Sequence, residues 1–449
     1  MKKALEPLVL SWHVPELRNR LLYVLGMMII YVFTLWIPIP NVDHNKMNDL
    51  MGKSGGLLDV MNVFGGGALK RLSIAALGIM PYITASIVFQ VLTMAFPYFK
   101  DLQQEGEYGR RKLGQWTRWS AIGLTLVQAA IATKAFMTTG VMAAGTNPAM
   151  FFMQTVLILT AGSMYLLWMG ERITEKGVGN GISFIIFAGI VAAFPQVMRQ
   201  LVATASVFQF VALGILFVGT VVAIVFVTEG ERRIPVKYAP RQAGRRMVQT
   251  QRSYIPLRMA AANVMPIIFA ISIVLFPGQI AQFYIQSLSP SVIAAQGIGF
   301  KIAQTITQLF APQSWFASII YGLLVLAFTY FYTAVIFDVR ELSDNLKRYG
   351  GQVPGYAPGR PTYLFINRVL TRITFVGGVF LAAIALLQWW APALIKLDQS
   401  GSVGVSTLVG GTSLLIVVAV AMEIMNNLDQ QLKMRQYEGF SKETPKGRM

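Results

Sequence analysis

The sequence predicts an all-α polytopic membrane protein with ten spanning helices in two halves of five. Three observations predict it. Of 449 residues, 55% are hydrophobic and 13% charged, well below the roughly 25% charged residues of soluble domains. Ten apolar runs are long enough to cross the bilayer at ~1.5 Å per residue. Thirty of the 38 Lys and Arg residues fall on one side when loops are numbered alternately from the N-terminus. That side is expected to be cytoplasmic, with both termini on it.

The spans are expected near 21–37, 72–97, 116–137, 149–169, 182–198, 208–228, 259–282, 314–337, 373–391 and 407–427. Residues 1–20 then form a cytoplasmic N-terminal segment, 21–200 the first half, 201–430 the second half and 431–449 a cytoplasmic tail. No cleavable signal is expected. The early patch 8–12 is too short, and His13, Pro15 and Arg18 follow it. Cysteine is absent, which removes disulfides, thiolate nucleophiles and cysteine-ligated metals. The two histidines, His13 and His44, lie too far apart in sequence to suggest a metal site.

Residues 59–92, with the short segment that leads into them, organise the first half. A segment at 57–64 is too short to span, three glycines follow (Gly65, Gly66, Gly67), and the run 72–96 contains Pro81. One reading is a re-entrant element hinged to a kinked helix, which requires a protein-lined or watery cavity at membrane depth. The other is an external loop with flexible glycines. Five spans is an odd number, so two related halves would have opposite topology. Met80-Pro81-Tyr82-Ile83 in the second span and Met265-Pro266-Ile267-Ile268 in the seventh occupy corresponding places. Proline inside a helix removes a hydrogen bond and kinks it, and paired kinks point to a substrate path.

The loops 229–258 and 338–372 are long and rich in Arg, with Tyr, Gln and Pro interspersed. Connections between helices are usually shorter. Guanidinium groups suit phosphate and carboxylate, so an acidic or RNA-containing partner is one reading. Positive-inside bias with contact to anionic lipids is the other.

Several motifs fail. Gly52-Lys53-Ser54 lacks the phosphate-loop glycine five residues earlier, where Met47 stands. Residues 177–181 (GVGNG) have the wrong glycine spacing for a dinucleotide fingerprint. Acidic groups are scarce in the spans, and Glu423, near the inner end of the last, reads as structural. Neither a buried carboxylate relay nor a nucleophile–base pair is present, which argues against a proton-coupled pump and a membrane enzyme.

Residues 76–86 (ALGIMPYITAS) and 168–187 (WMGERITEKGVGNGISFIIF) resemble the two signature segments of the SecY family, channel subunits of the bacterial preprotein translocase. Further similar segments are 64–69, 106–112, 244–246, 331–334, 410–418 and 437–439, so the resemblance runs from about residue 15 to 440.

The resemblance implies a non-enzymatic protein-conducting channel without cofactors, in which two inverted halves surround a central pore with a plug. The plug would lie near 57–69, with Leu57, Asp59, Asn62, Phe64 and the three glycines as plug and hinge. A ring of Ile79, Ile83, Ile182, Ile186, Ile268 and Ile416 would form the constriction. Ile79/Ile83 and Ile182/Ile186 are i, i+4 pairs, so each shares a helix face. Thr84, Gln90 and Asn263 would lie on the two helices of a lateral gate, bonding either across it or locally. Arg241, Arg245, Arg246, Arg340, Lys347, Arg348 and Arg360 would dock a ribosome or the SecA motor. The implied partners are SecE, SecG, SecA, the ribosome and the signal sequences of preproteins, and the implied location is the bacterial plasma membrane. One departure stands out. The family's second loop usually reads Pro-Gly-x-Arg-Pro-Gly, and here Ala357 takes the place of Arg. A small-solute transporter is the alternative with similar architecture. It would need polar ligands at the midplane, where these positions are isoleucines.

Overall fold

The computed structural model describes residues 9–43, 46–47, 62, 65–143, 145–204, 206–238, 242–243, 246–247, 252–259, 264–288, 297–311, 314–395 and 412–442. The first half contains α1 (Pro15–Thr34), α2 (Met80–Ala95), α3 (Pro97–Gln104), α4 (Glu107–Thr138), α5 (Pro148–Lys176) and α6 (Gly181–Thr204). The second half contains α7 (Val207–Glu229), α8 (Met265–Ser287), α9 (Ile298–Leu309), α10 (Trp315–Ile336), α11 (Val339–Arg348), α12 (Arg360–Ile395) and α13 (Thr412–Lys442). Among the described residues, 9 helices are long and apolar enough to span a membrane. The pair α2–α3, bent by 99°, brings the number to 10 when taken as one span. The bend follows from Pro97, which forces Phe96 into extended backbone (φ −119°, ψ 125°) and starts a new helix.

Side chains set the helix starts. Asn147 accepts a bond from the Ala149 N–H at 3.0 Å, and Pro148 supplies the pre-set φ of the first turn. Ser206 and Gln209 form a reciprocal capping box at α7. Within the halves, α2 packs on α4, α4 on α5, α5 on α6, α8 on α10 and α10 on α12. The halves meet along two seams, α8 against α2 and α4, and α13 against α6.

The two Met-Pro sequences correspond, though not as kinks. Pro81 and Pro266 both lie in the first turn, so α2 begins at Met80 and α8 at Met265. A proline there loses no helical bond, because first-turn N–H groups have no intrahelical acceptor. The expected single helix over 72–97 is thereby corrected. Residues 65–79 are a series of turns, with Gly66, Gly67, Leu72 and Gly78 at positive φ. Prolines inside helices occur instead at Pro195 in α6 and Pro277 in α8.

These turns are not a loose external loop. Ala68, Leu69, Leu72 and Ala75 are buried. The Ile39 N–H donates to the Leu72 carbonyl at 2.9 Å and the Ile74 N–H to the Ile37 carbonyl at 3.1 Å. A Cβ added at Gly162 of α5 would lie 1.8 Å from the Ile74 carbonyl oxygen. One added at Gly66 would lie 3.2 Å from the Gly189 Cα of α6. Glycine at these contacts lets backbones touch, the usual device of membrane packing where lipid tails remove the hydrophobic drive. Irregular backbone is thus enclosed by protein, as membrane depth requires.

The two basic loops are folded together, with strands the all-helical reading did not anticipate. β1 (Glu231–Tyr238) and β4 (Arg252–Arg258) pair antiparallel, with Glu231 opposite Arg258 and Lys237 opposite Arg252. β5 (Gly351–Gln352), from the second loop, adds to the other edge of β1. A short ribbon, β2 (Gln242–Ala243) with β3 (Arg246–Met247), lies between β1 and β4 in sequence. Ile234 and Val236 of β1 are buried while Arg233 and Lys237 are exposed, the period-two pattern of a half-buried strand. With Leu257, Val339, Leu346, Val353, Ile366 and Leu370 they form a core separate from those of the spans.

Candidate functional site: the isoleucine constriction

Four helices bring their first two turns to one place. Ile79 precedes α2 and Ile83 lies in its first turn, Ile186 is in α6, Ile268 in α8 and Ile416 in α13. All five line a cavity of ≈ 30 Å³, together with Ile271, Met80 and residues Gly65, Ala76, Leu77 and Gly78 of the 65–79 turns. All six isoleucines are buried. The cavity exceeds the ~10–15 Å³ that one water needs, yet no lining side chain is polar, so only backbone groups offer a water hydrogen bonds there. The lining also draws on both halves, so any widening at their seams changes it.

Ile182 is the sixth expected position and is not among the lining residues. It stands one turn before Ile186, ~6 Å along the axis, and packs towards α5. There a Cβ added at Gly170 would meet the Ile182 Cγ1 at 3.4 Å. Ile271, which the sequence reading missed, lies three residues after Ile268 on the same helical face, so its spacing was a usable signal.

The GVGNG loop owes its glycines to crowding. A Cβ at Gly181 would lie 1.9 Å from the Gly170 carbonyl oxygen. Gly179 has φ +85°, and a Cβ there would lie 3.1 Å from Asn427 Nδ2 of α13. The same Cβ at Gly179 would lie 3.9 Å from Glu423 Oε1 of α13. Glu423 thus sits against the first-half loop, in keeping with its structural reading.

At the expected gate, Thr84 donates to the Met80 carbonyl of its own helix at 3.1 Å, the local alternative. Gln90 donates to Ser86 at 3.1 Å and accepts the hydroxyl of Tyr332 from α10. Tyr332 also packs on Phe269 of α8, with ring centroids 5.1 Å apart. The polar link from α2 therefore reaches α10, and Tyr332 was missed although residues 331–334 had been singled out. Asn263 lies outside the described residues, as do Leu57, Asp59, Phe64, Arg241 and Arg245. Asn62 is half-buried and accepts the Lys70 N–H at 2.9 Å. Arg246 stands in β3 opposite Ala243. Lys347 and Arg348 are in the last turn of α11, Arg360 begins α12, and these three and Arg340 are exposed. Ala357 is exposed too, and its carbonyl accepts the Thr362 hydroxyl at 2.7 Å. Tyr356 stacks on Phe365 at 4.2 Å, so this loop tip is held to α12.

Known proteins resemble the chain throughout. The SecY family model matches residues 73–425. A protein translocase subunit SecY of Thermotoga maritima is 38% identical over 441 residues, covering 96% of each chain. The Escherichia coli K12 protein of the same name is 40% identical over 435 residues, covering 95% of this chain and 94% of that one. A solved protein-conducting channel superposes with a TM-score of 0.60 at 15% identity, over 94% of this chain and 96% of the other. Sec61 in a canine ribosome–channel complex gives 0.55 at 14% identity over 94% and 96%. These last two likenesses concern the fold, whereas the family model and the curated relatives settle membership: the chain belongs to the SecY family.

Proposed function

We propose that this protein is the channel subunit of a preprotein translocase. It passes unfolded preproteins across the membrane and releases membrane helices sideways between α2 and α8. The observation that carries the reading is the convergence of isoleucines from four helices and both halves on one constriction whose side chains are all apolar. Isoleucine cannot replace an ion's hydration shell, so a closed ring resists ion flow. It also offers a sliding peptide no hydrogen bond to linger on. An apolar segment in an opened gate leaves for lipid, where its side chains are better solvated. A solute transporter needs midplane ligands, and this cavity presents none.

The chain acts without catalysis of its own, in a bacterial plasma membrane with both termini cytoplasmic, a reading that the distribution of Lys and Arg supports. SecE and SecG are its membrane partners, and SecA or a ribosome docks on the basic strands and α11. Fold neighbours bound to ribosomes, a Sec61 and a yeast Ssh1 complex, support the last point. The test is reconstitution with SecE into vesicles and addition of SecA, ATP and an unfolded preprotein. Protease-protected preprotein is the expected result. Solute uptake without preprotein protection would overturn the proposal.

A further inference from the structure

A second pocket, of ≈ 260 Å³, opens where α10, α11 and α12 meet, away from the constriction. It presents Tyr330, Asp338, Arg340, Tyr363, Asn367 and Thr371. Its volume falls below the ~300–1,000 Å³ of pockets for drug-sized ligands, which suits a small polar group.

Its charges are of both signs. The Arg340 guanidinium lies 5.8 Å from the Tyr363 ring centre and pairs with no carboxylate among the described residues. Asp338 caps α11 through Oδ1, which accepts the N–H groups of Arg340 at 2.9 Å and Glu341 at 3.1 Å. Its Oδ2 has no donor among the described residues. One cation and one free carboxylate oxygen, two residues apart, therefore face the same small space.

The pocket also lies at a definite depth. α10 is apolar up to Phe337, and α12 changes from polar with three arginines (Arg360, Arg368, Arg372) to apolar at Ile373. The lining straddles that change, with two tyrosines at the level where membrane proteins concentrate them. Between or just beyond the lining residues, Val335 and Ile336 on α10 and Phe375 and Val376 on α12 are exposed. A polar pocket thus adjoins an exposed apolar wall.

We propose that this pocket binds the headgroup of a phosphoethanolamine lipid, with the phosphate on Arg340, the ammonium on Asp338 Oδ2 and the acyl chains along α10 and α12. A primary ammonium has N–H donors for the carboxylate, whereas a glycerol headgroup brings no cation to it.

The test is native mass spectrometry of the full chain in detergent, titrated with phosphatidylethanolamine, phosphatidylglycerol and water-soluble glycerophosphoethanolamine. Phosphatidylethanolamine is expected to be retained roughly tenfold better than phosphatidylglycerol, as one charge-assisted contact allows. Asp338→Asn keeps a capping oxygen and should erase that preference. Arg340→Gln should weaken both lipids, and Arg348→Gln, on the same helix outside the pocket, should change neither. Equal binding of the two lipids to the unaltered chain would overturn the proposal. So would a preference that survives Asp338→Asn, or an Arg348→Gln effect as large as that of Arg340→Gln. Displacement of the lipid by equimolar glycerophosphoethanolamine would assign the pocket to a soluble zwitterion instead.

Discussion

At the constriction, α2, α6, α8 and α13 direct isoleucines at a cavity with no polar side chain in its lining. In the β1–β4–β5 layer, buried Ile234, Val236 and Leu257 support a surface on which Arg233 and Lys237 are exposed. Both regions rest on apolar cores, and they differ in what they show to a partner. The first shows methyl groups, which offer neither charge nor hydrogen bond. The second shows guanidinium and ammonium groups, which bind acidic surfaces and lose strength as salt screens them. On the proposed reading a channel uses both, because substrate must not stick where partners must.

The contrast breaks most visibly at the ring. Ile83→Gly with Ile268→Gly, in a chain lacking 57–69, should raise the ion conductance of the resting channel at least ~tenfold, or ~1.4 kcal/mol off the barrier. Planar-bilayer recording checks it, and unchanged conductance removes these residues from the seal. A smaller effect is expected at the basic end. Reversing Arg245 and Arg246 to Glu should weaken ribosome binding and flatten its log–log salt dependence by roughly 1.4–1.8, two phosphate contacts' worth. A parallel shift across the salt series would mean that the pair touches no phosphate.

The exposed tip at Ala357 sharpens the comparison further. Alanine supplies neither charge nor side-chain donor where the family usually has Arg. Ala357→Arg is expected to raise SecA-driven transport about two- to fivefold, the return from one exposed charged contact, and to alter ribosome-linked insertion less. If Ala357→Arg is neutral while Arg360→Ala stops transport, Arg360 already fills that role. The smallest effect belongs to the Gln90–Tyr332 link. Hydrogen bonds between membrane helices average ~0.6 kcal/mol, so Tyr332→Phe should ease signal-sequence-driven opening about two- to threefold. Gln90→Leu should do the same, and the double variant no more. Additive effects in crosslinking across α2 and α8 would show that the two side chains act separately.

Much of this was legible in residue order. Span positions followed from apolar length, and most expected edges fall within or near the observed helices, except at 72–79, where turns precede α2. The paired Met-Pro sequences marked equivalent helices, although both prolines begin helices where kinks were expected. Ile271 was legible by its spacing from Ile268 and was passed over. The strands of the basic loops were hidden, because Ile234 and Val236 sit among arginines and prolines. Their inward face becomes visible only when Leu257 and the α11–α12 residues cover it.

The sequence by itself determined the membrane class, the number of spans, the basic side and the family, because each depends on local hydropathy, charge and motif order. Tertiary structure decided the rest. It removed Ile182 from the cavity lining and bound Gln90 to Tyr332, 242 residues away. It also turned Gly66, Gly162 and Gly181 from apparent flexibility into points where backbones touch. A pattern along the chain records which face a residue occupies. Which residue of another helix meets that face depends on close packing in three dimensions, where one Cβ too many forces the backbones apart.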